Sequence, residues 1–249
     1  MDAESTSILV RKFKTLGKLS ALETRLLDSI AVQFREVGAD QDLVREGDRP
    51  TQCILLVEGF AARYRTLSDG RRQILSFHVP GDFMDLQSYT LTRLDHSVGT
   101  LAVSRIALVP HTAITELLAY PNLVRLLWHD TQVDSSISRE WIVNVGRRTA
   151  YQRVAHILCE LVTRMEAVGL AQDGICDLPL TQAELADATG LSTVHVNRVI
   201  QELRRENLIT LRSRTFSALD WPGLKAAAEF DATYLQLDRA RGKAPPAFA

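Results

Sequence analysis

The chain of 249 residues has little excess charge and no long apolar run. Lys and Arg number 29 against 30 Asp and Glu, a net charge of -1 that argues against a protein coating nucleic acid or anionic membrane indiscriminately. No apolar run approaches the roughly 18–20 residues of a membrane span, and the first residues lack the apolar core of a signal peptide. We therefore expect a cytoplasmic protein with no membrane partner.

Cysteine and closely spaced histidine are also scarce. The chain has only Cys53, Cys159 and Cys176, and this odd, scattered set fits reduced packing thiols better than a disulfide framework or a zinc site. The histidines form no pair at the i, i+4 spacing by which one helix face binds a metal. The sequence therefore predicts no cofactor and no metal site.

The segment from Leu180 to Leu208 predicts a helix-turn-helix. Thr181 and Glu184 have the spacing of a capping box, which begins the first helix. Gly190 suits the tight turn between the helices, because glycine accepts a positive φ, and Ser192 caps the second helix.

The second helix of this motif has a buried stripe and an exposed polar face. The stripe consists of Val196, Val199 and Leu203, at spacings of three and four residues. The residues left off this stripe suit base edges and phosphates: Thr193, His195, Asn197, Arg198 and Gln201.

Two β-prone runs follow this motif, from Leu208 to Leu211 and from Thr215 to Leu219. They are connected by Arg212, Ser213 and Arg214. This pattern predicts a wing, a two-stranded hairpin with two arginines at its tip. Acids balance arginines in this region, so a positive face must come from placement rather than from excess charge.

The N-terminal half has the texture of an antiparallel β-roll. A helix is predicted over 20–32, begun by a capping box of Ser20 and Glu23. Short β-prone runs separated by turn residues follow, with Asp69-Gly70 as a strong hairpin signal and one strand over 98–109. Regularly spaced short strands favour a small barrel or sandwich over alternating β and α units.

A helical period returns at Pro121 and continues for about 25 residues, near 37 Å. Its apolar seam suits either its own domain or the helix of a second subunit, and consists of Leu123, Leu127, Val133, Ile137, Trp141 and Val145. We interpret it as a dimerisation helix, with Trp128 and Trp141 as packing residues. A helix over 150–167 follows, another begins near Trp221, and the last residues, 242–249, are predicted to be disordered.

The fold class predicted is α+β, with an N-terminal jelly-roll-like β-roll, a long dimerisation helix and a C-terminal winged helix-turn-helix. In this order the elements resemble the Crp/Fnr family of bacterial transcription regulators. Four turn motifs and the helix-turn-helix carry the resemblance: Glu46-Gly47-Asp48, Leu56-Val57-Glu58-Gly59, Asp69-Gly70-Arg71-Arg72, Pro80-Gly81-Asp82-Phe83 and 180–209. The resemblance implies a sensor domain over 1–120, a dimerisation helix over 121–148 and a DNA-binding domain over 149–249.

The resemblance also implies which residues contact DNA. Arg198 falls on the family's recognition arginine, whose guanidinium fits guanine O6 and N7. The expected DNA-binding set is Thr181, Ser192, Thr193, His195, Asn197, Arg198, Gln201, Arg212 and Arg214. Val194 stands where the family often has a recognition glutamate, so a different target sequence is expected.

The effector motif departs from the family. Cyclic-nucleotide-binding members have a Gly-Glu-Leu run and then an Arg-Ser or Arg-Thr pair, whereas this chain has Met84-Asp85-Leu86 and His96-Ser97. Because histidine cannot replace a permanently charged guanidinium fork, cyclic AMP is not the expected effector. The expected effector pocket contains His96, Ser97, Ser138 and Arg139. The N-terminal cysteine cluster that holds iron and sulfur in oxygen-sensing members is also missing.

The sequence thus predicts a homodimeric regulator without catalytic activity. Its expected partners are palindromic double-stranded DNA, a second copy of itself, RNA polymerase and an unidentified small-molecule effector. Three alternatives remain open: a metal-dependent enzyme of the cupin type, a regulatory module that acts on a protein partner, and a haem or metal sensor that uses His78 or His96.

Overall fold

The computed structural model describes residues 3–30, 32–212 and 214–237. Ser213 and the predicted disordered end, 242–249, lie outside these ranges. The described chain forms an N-terminal β-roll, a long helix and a C-terminal helical module with a small sheet. This order confirms the predicted fold class.

Two helices precede the roll, α1 (Ala3–Leu16) and α2 (Ala21–Asp28). The capping box of α2 is present, with Ser20 N donating to Glu23 Oε2 at 2.7 Å and Glu23 N donating to Ser20 Oγ at 3.2 Å. The prediction was too long, because α2 ends at Asp28. Helix α1 was not predicted, since its N-terminus carries no capping signal of that kind. Its Leu9 and Phe13 are buried in one apolar cluster with residues of the roll and the long helix.

In the described residues the roll has seven strands: β1 (Gln33–Val37), β2 (Asp42–Val44), β3 (Gln52–Glu58), β4 (Ala61–Thr66), β5 (Arg72–His78), β6 (Ser97–Thr100) and β7 (Ser104–Pro110). One antiparallel sheet has the order β1-β7-β3 and the other β2-β6-β4-β5. Side chains from both sheets meet in a common core that includes Leu56, Met84, Val98 and Ile106.

The turns of the roll confirm one prediction and correct another. Strands β4 and β5 form the expected hairpin at Asp69-Gly70, where Gly70 has a φ of +82°. The single strand predicted over 98–109 is wrong. The chain leaves one sheet at Thr100 and enters the other at Ser104, and Leu101 N donates to Phe60 O at the crossing. An apolar run cannot show where a chain changes sheets.

The roll leads through α3 (His111–Leu117) into the long helix, α4 (Pro121–Arg147). The predicted apolar seam of α4 packs on its own chain, because Leu123 and Leu127 join the α1 cluster while Val133, Ile137 and Trp141 join a second core. Its last member, Val145, is partly exposed. Three other apolar residues of α4 are exposed: Trp128 with 68%, Ile142 with 72% and Val143 with 46% of their surface.

The C-terminal module begins with α5 (Ala150–Ala167), which has the predicted bounds and is capped by Thr149. The following elements are β8 (Ile175–Asp177), α6 (Gln182–Thr189), α7 (Thr193–Arg205), β9 (Ile209–Arg212), β10 (Thr215–Ala218), α8 (Trp221–Ala227) and a short 3-10 helix (Ala232–Leu235). Strands β9 and β10 form the predicted wing, and β8 adds an unpredicted third strand beside β10.

Buried ion pairs join the roll to the C-terminal module. Asp82 accepts from Arg164 of α5 at 2.5 Å and from Lys12 of α1 at 2.7 Å, and Arg164 also pairs with Glu160 at 3.2 Å. We call Lys12, Asp82, Glu160 and Arg164 the Asp82 cluster. Although burial opposes the charged form, Lys12 and Arg164 hold the pKa of Asp82 well below its usual value. A second, half-exposed pair links Arg72 of β5 to Asp187 of α6 at 2.8 Å.

Candidate DNA-binding surface and effector cavity

Local chemistry fixes helices α6 and α7 of the candidate DNA-binding surface. Thr181 and Glu184 form the predicted capping box of α6, with Thr181 N donating to Glu184 Oε2 at 2.6 Å. Gly190 ends α6 with a φ of +67°. Ser192 Oγ then accepts from His195 N at 3.2 Å and begins α7. The sequence thus predicted both helices and the turn between them.

Helix α7 divides into a buried and an exposed face. Val196, Val199 and Leu203 are buried as predicted, together with Ile200. The predicted contact residues Thr193, His195, Arg198 and Gln201 are exposed. Arg198 has no ion-pair partner among the described residues, so its guanidinium is available to an external acceptor.

Three predicted contact residues already make internal hydrogen bonds. Thr181 and Ser192 serve as helix caps, and Asn197 is half-buried and donates from Nδ2 to Gln182 Oε1 at 3.0 Å. The cap hydroxyls lie at the N-termini of α6 and α7, where backbone donors favour an anion such as phosphate. Asn197 holds the two helices together, a role that periodicity alone did not show.

The two wing arginines lie in different settings. Arg212 ends β9 and is exposed. Arg214 is exposed and has a φ of +74°, and its carbonyl accepts from Leu178 N. It lines a groove between the wing and the roll, together with Glu58 and Val103. Arg212 does not line this groove.

A cavity of about 800 Å³ lies between the roll and α4. Of the four predicted effector residues, His96 and Ser138 line it. The other two do not. Ser97 Oγ instead accepts from Glu46 N at 3.1 Å, and Arg139 lies on the exposed side of α4, bonded to Ser136 at 2.7 Å. The resemblance indicated these elements, but only the structure shows which of their side chains face the cavity.

Sequence reasoning missed the arginine of this cavity. Arg63 of β4 is buried, and its Nη1 donates to Asp134 of α4 at 2.9 Å while its Nη2 donates to Met84 O at 3.2 Å. Gln87 also donates to Asp134, at 3.3 Å. Asp134 therefore neutralises the one guanidinium that lines the cavity in the described part of the chain. No motif marks Arg63, because it stands in an ordinary strand.

His96 is buried and bonded to one carboxylate. Its Nδ1 lies 2.7 Å from Asp95 Oδ1. Burial and the nearby Arg63 lower the pKa of His96, so the ring is neutral at pH 7, and the ionised Asp95 holds the proton on Nδ1. The remaining nitrogen, Nε2, is then an acceptor and has no partner among the described residues.

Trp141 connects the cavity to the C-terminal module. It lines the cavity, is buried, and donates from Nε1 to Glu160 of α5 at 3.0 Å. Glu160 also accepts from Tyr234 at 2.8 Å. The prediction that Trp141 is a packing residue therefore describes only part of its contacts.

His78 and the three cysteines show the contacts of packing residues. His78 is buried beside Ser76 and Asp82, and all three cysteines are buried. Burial raises the pKa of the Cys53 thiol to about 12.

In the described ranges no group of three or more His, Cys, Asp or Glu side chains is placed to hold a metal ion. No helix in those ranges is long and apolar enough to cross a membrane.

Comparison with known proteins agrees with this geometry. Residues 34–120 match the cyclic nucleotide-binding domain family, and residues 152–227 match the Crp-like helix-turn-helix domain family. The nitrogen fixation regulation protein FixK of Bradyrhizobium diazoefficiens is 29% identical over 88% of this chain and 91% of its own length. The transcriptional activator protein FnrL of Cereibacter sphaeroides is 28% identical over 73% of this chain and 74% of its own length.

A solved structure shares the fold. The structure of FixK2 from Bradyrhizobium japonicum superimposes with a TM-score of 0.73 at 24% identity, covering 82% of this chain and all of that one. The two family matches lie on the roll and on the module that carries α6 and α7. With the relatives they show that this chain is a transcription regulator rather than an enzyme, and that it belongs to the Crp/Fnr family.

Proposed function

We propose that this regulator is a homodimer that reads a palindromic DNA site and responds to an effector other than cyclic AMP. The observation that carries the proposal is the exposed face of α7, on which Arg198 is unpaired among the described residues. A bidentate arginine contact with guanine is the commonest specific contact in the major groove. We also propose that Arg212 and Arg214 of the wing contact phosphates or the minor groove.

The outward face of α4 supports the homodimer. Trp128, Ser135 and Ile142 are spaced by seven residues, the repeat of two helices that pack along a common seam. A second copy would bury the exposed Trp128 and Ile142, which stabilises the pair by about 1.5–3 kcal/mol for each fully buried apolar side chain. A two-fold axis along α4 relates the two α7 helices, which would read half-sites about 34 Å apart.

The cavity supports an effector other than cyclic AMP. A cyclic nucleotide needs a free cation for its phosphate, whereas the Arg63 guanidinium already bonds Asp134 and the Met84 carbonyl. His96 is neutral at the position where cyclic-nucleotide-binding members carry arginine.

We further propose three units: a sensor over 1–120, a dimerisation helix over 121–148 and a DNA-binding unit over 149–249. RNA polymerase is the proposed protein partner because the relative FnrL is a transcriptional activator.

Selection of binding sites from random DNA tests this function. We expect an inverted repeat with half-sites about one helical turn apart and a dimer mass at micromolar concentration. The Trp128→Glu variant should be monomeric by analytical ultracentrifugation and should lose the inverted repeat, because each dimer would bury two opposed carboxylates.

The matched control is Leu22→Glu, which places the same charge on α2 at an apolar residue that is 49% exposed. It should remain dimeric and select the same site. A wild-type monomer, or an asymmetric selected site, would contradict the proposal. Failure to select any DNA, together with a co-purifying protein, would instead favour a module that acts on a protein partner.

A further inference from the structure

The cavity between the roll and α4 has the size and wall of a small-molecule site. Its volume of about 800 Å³ falls within the range of about 300–1,000 Å³ that is typical of ligand pockets. Much of the wall is aliphatic or aromatic, with Ile74, Leu75 and Leu91 from the roll and Trp141, Ile142 and Val145 from α4. Such a wall favours a ligand whose body is largely apolar.

Three polar atoms on residues that line this cavity lack a hydrogen-bond partner among the described residues. They are Arg63 Nε, Gln87 Oε1 and His96 Nε2. Arg63 and His96 are more than nine-tenths buried. Because an unpaired buried polar group is costly, a ligand that supplies partners to these atoms gains affinity.

The chemistry of the three atoms defines what a partner must offer. His96 donates through Nδ1 to Asp95, so its Nε2 is an acceptor. Gln87 donates through Nε2 to Asp134, so its Oε1 is also an acceptor. Arg63 Nε carries a hydrogen and is a donor. The three atoms therefore match a group that has at least one O–H or N–H as donor and one oxygen as acceptor. A carboxylate does not match, because it only accepts.

Charge also disfavours an anionic ligand. Asp134 and Asp95 line the cavity with Arg63, which gives two carboxylates against one guanidinium. The Arg63 guanidinium is already engaged by Asp134 at 2.9 Å. An anion would therefore have to displace Asp134 or meet uncompensated negative charge.

We propose that this cavity binds a neutral, largely apolar small molecule that carries a hydroxyl or amide group. The inference rests on the proposed function, since it names the chemical class of the effector. The apolar body packs against Ile74, Leu75 and Trp141, and the polar group meets Arg63, Gln87 and His96. Trp141 also bonds Glu160, so the occupied wall is continuous with α5 of the DNA-binding module.

Two dyes with the same aromatic body test the ligand class on the full-length protein without DNA. N-phenyl-1-naphthylamine is neutral, whereas 1-anilinonaphthalene-8-sulfonate keeps the same aromatic body and N–H and adds an anionic group, so the pair tests the preference for a neutral, apolar body. We expect the neutral dye to bind once per chain and at least tenfold more tightly than the sulfonate in fluorescence titrations. Cyclic AMP should not displace it. Equal or tighter binding of the sulfonate, or displacement by cyclic AMP, would overturn the proposal.

Matched variants locate the bound dye. Ser138→Phe fills the cavity and should weaken binding of the neutral dye at least tenfold, while Ser136→Phe, two residues earlier on α4 and outside the cavity wall, should leave it unchanged. A protein with Trp128→Phe and Trp221→Phe retains Trp141 as its single tryptophan, whose emission the bound dye should quench almost completely. Unquenched Trp141, or full binding by Ser138→Phe, would place the dye elsewhere and overturn the proposal. Because no DNA is present, these results are independent of the site selection.

Discussion

Replacing Arg164 with Met should lower the free energy of unfolding by about 3–5 kcal/mol at pH 7, measured by urea denaturation. Arg164 is buried in the Asp82 cluster and pairs with both Asp82 and Glu160. Met fills a similar volume but leaves Lys12 as the permanently charged partner of Asp82, which also accepts from Val79 N at 3.0 Å. The cost is that of an uncompensated buried charge, since Asp82 and Glu160 stay in place.

The loss should depend on pH. The pKa of Asp82 is depressed in the folded protein, so the stabilisation from its pairs is present above its unfolded pKa of about 4. That stabilisation is lost as the pH falls toward the folded pKa. The difference between wild type and Arg164→Met should therefore shrink below about pH 4. Burial raises the pKa of Glu160, so protonation of Glu160 in the variant also reduces the difference as the pH falls.

Arg72→Met is the matched control. Arg72 pairs with Asp187 across the same two units, but both side chains are 32% exposed. Such a partly solvated pair contributes about 0–1 kcal/mol. If Arg164→Met lowered the free energy of unfolding no more than Arg72→Met does, the Asp82 cluster would not stabilise the junction between the roll and the C-terminal module.

Replacing Arg198 with Ala should cost about 1–3 kcal/mol of specific DNA binding per half-site and relax the preference at one base position. The reason is its place on the exposed face of α7, opposite the buried Val196 and Val199. In a two-fold dimer the loss applies twice. Titration against the selected site and a scrambled site, at several salt concentrations, measures both the affinity and the specificity ratio.

The wing variants provide the contrast. Arg212→Ala and Arg214→Gly should weaken specific and non-specific binding alike. Each should also make the negative slope of log K against log salt shallower by about one unit for every phosphate that the variant no longer binds. Glycine is chosen at Arg214 because the φ of +74° there strains alanine. An Arg198→Ala protein with an unchanged specificity ratio and a shallower salt slope would show that Arg198 binds phosphate.

The sequence by itself determined the helix-turn-helix and its flanking elements. Each deciding interaction there is local, as with the capping box of Thr181 and Glu184, three residues apart, and the positive φ of Gly190. The hairpin at Asp69-Gly70 and the bounds of α5 follow from the same kind of short-range chemistry. The buried stripe of α7 follows from periodicity, because one face of a short helix must be covered.

The tertiary structure alone decided the cavity, the junction and the free face of α4. Arg63 and Asp134 are 71 residues apart, and Asp82 and Arg164 are 82 apart, so no local pattern indicates that they meet. The seam of α4 that periodicity marked as apolar is covered by its own chain from Leu123 to Trp141, which leaves Trp128 and Ile142 outward. Periodicity shows that a helix has an apolar face, but which neighbour covers it depends on how distant segments pack.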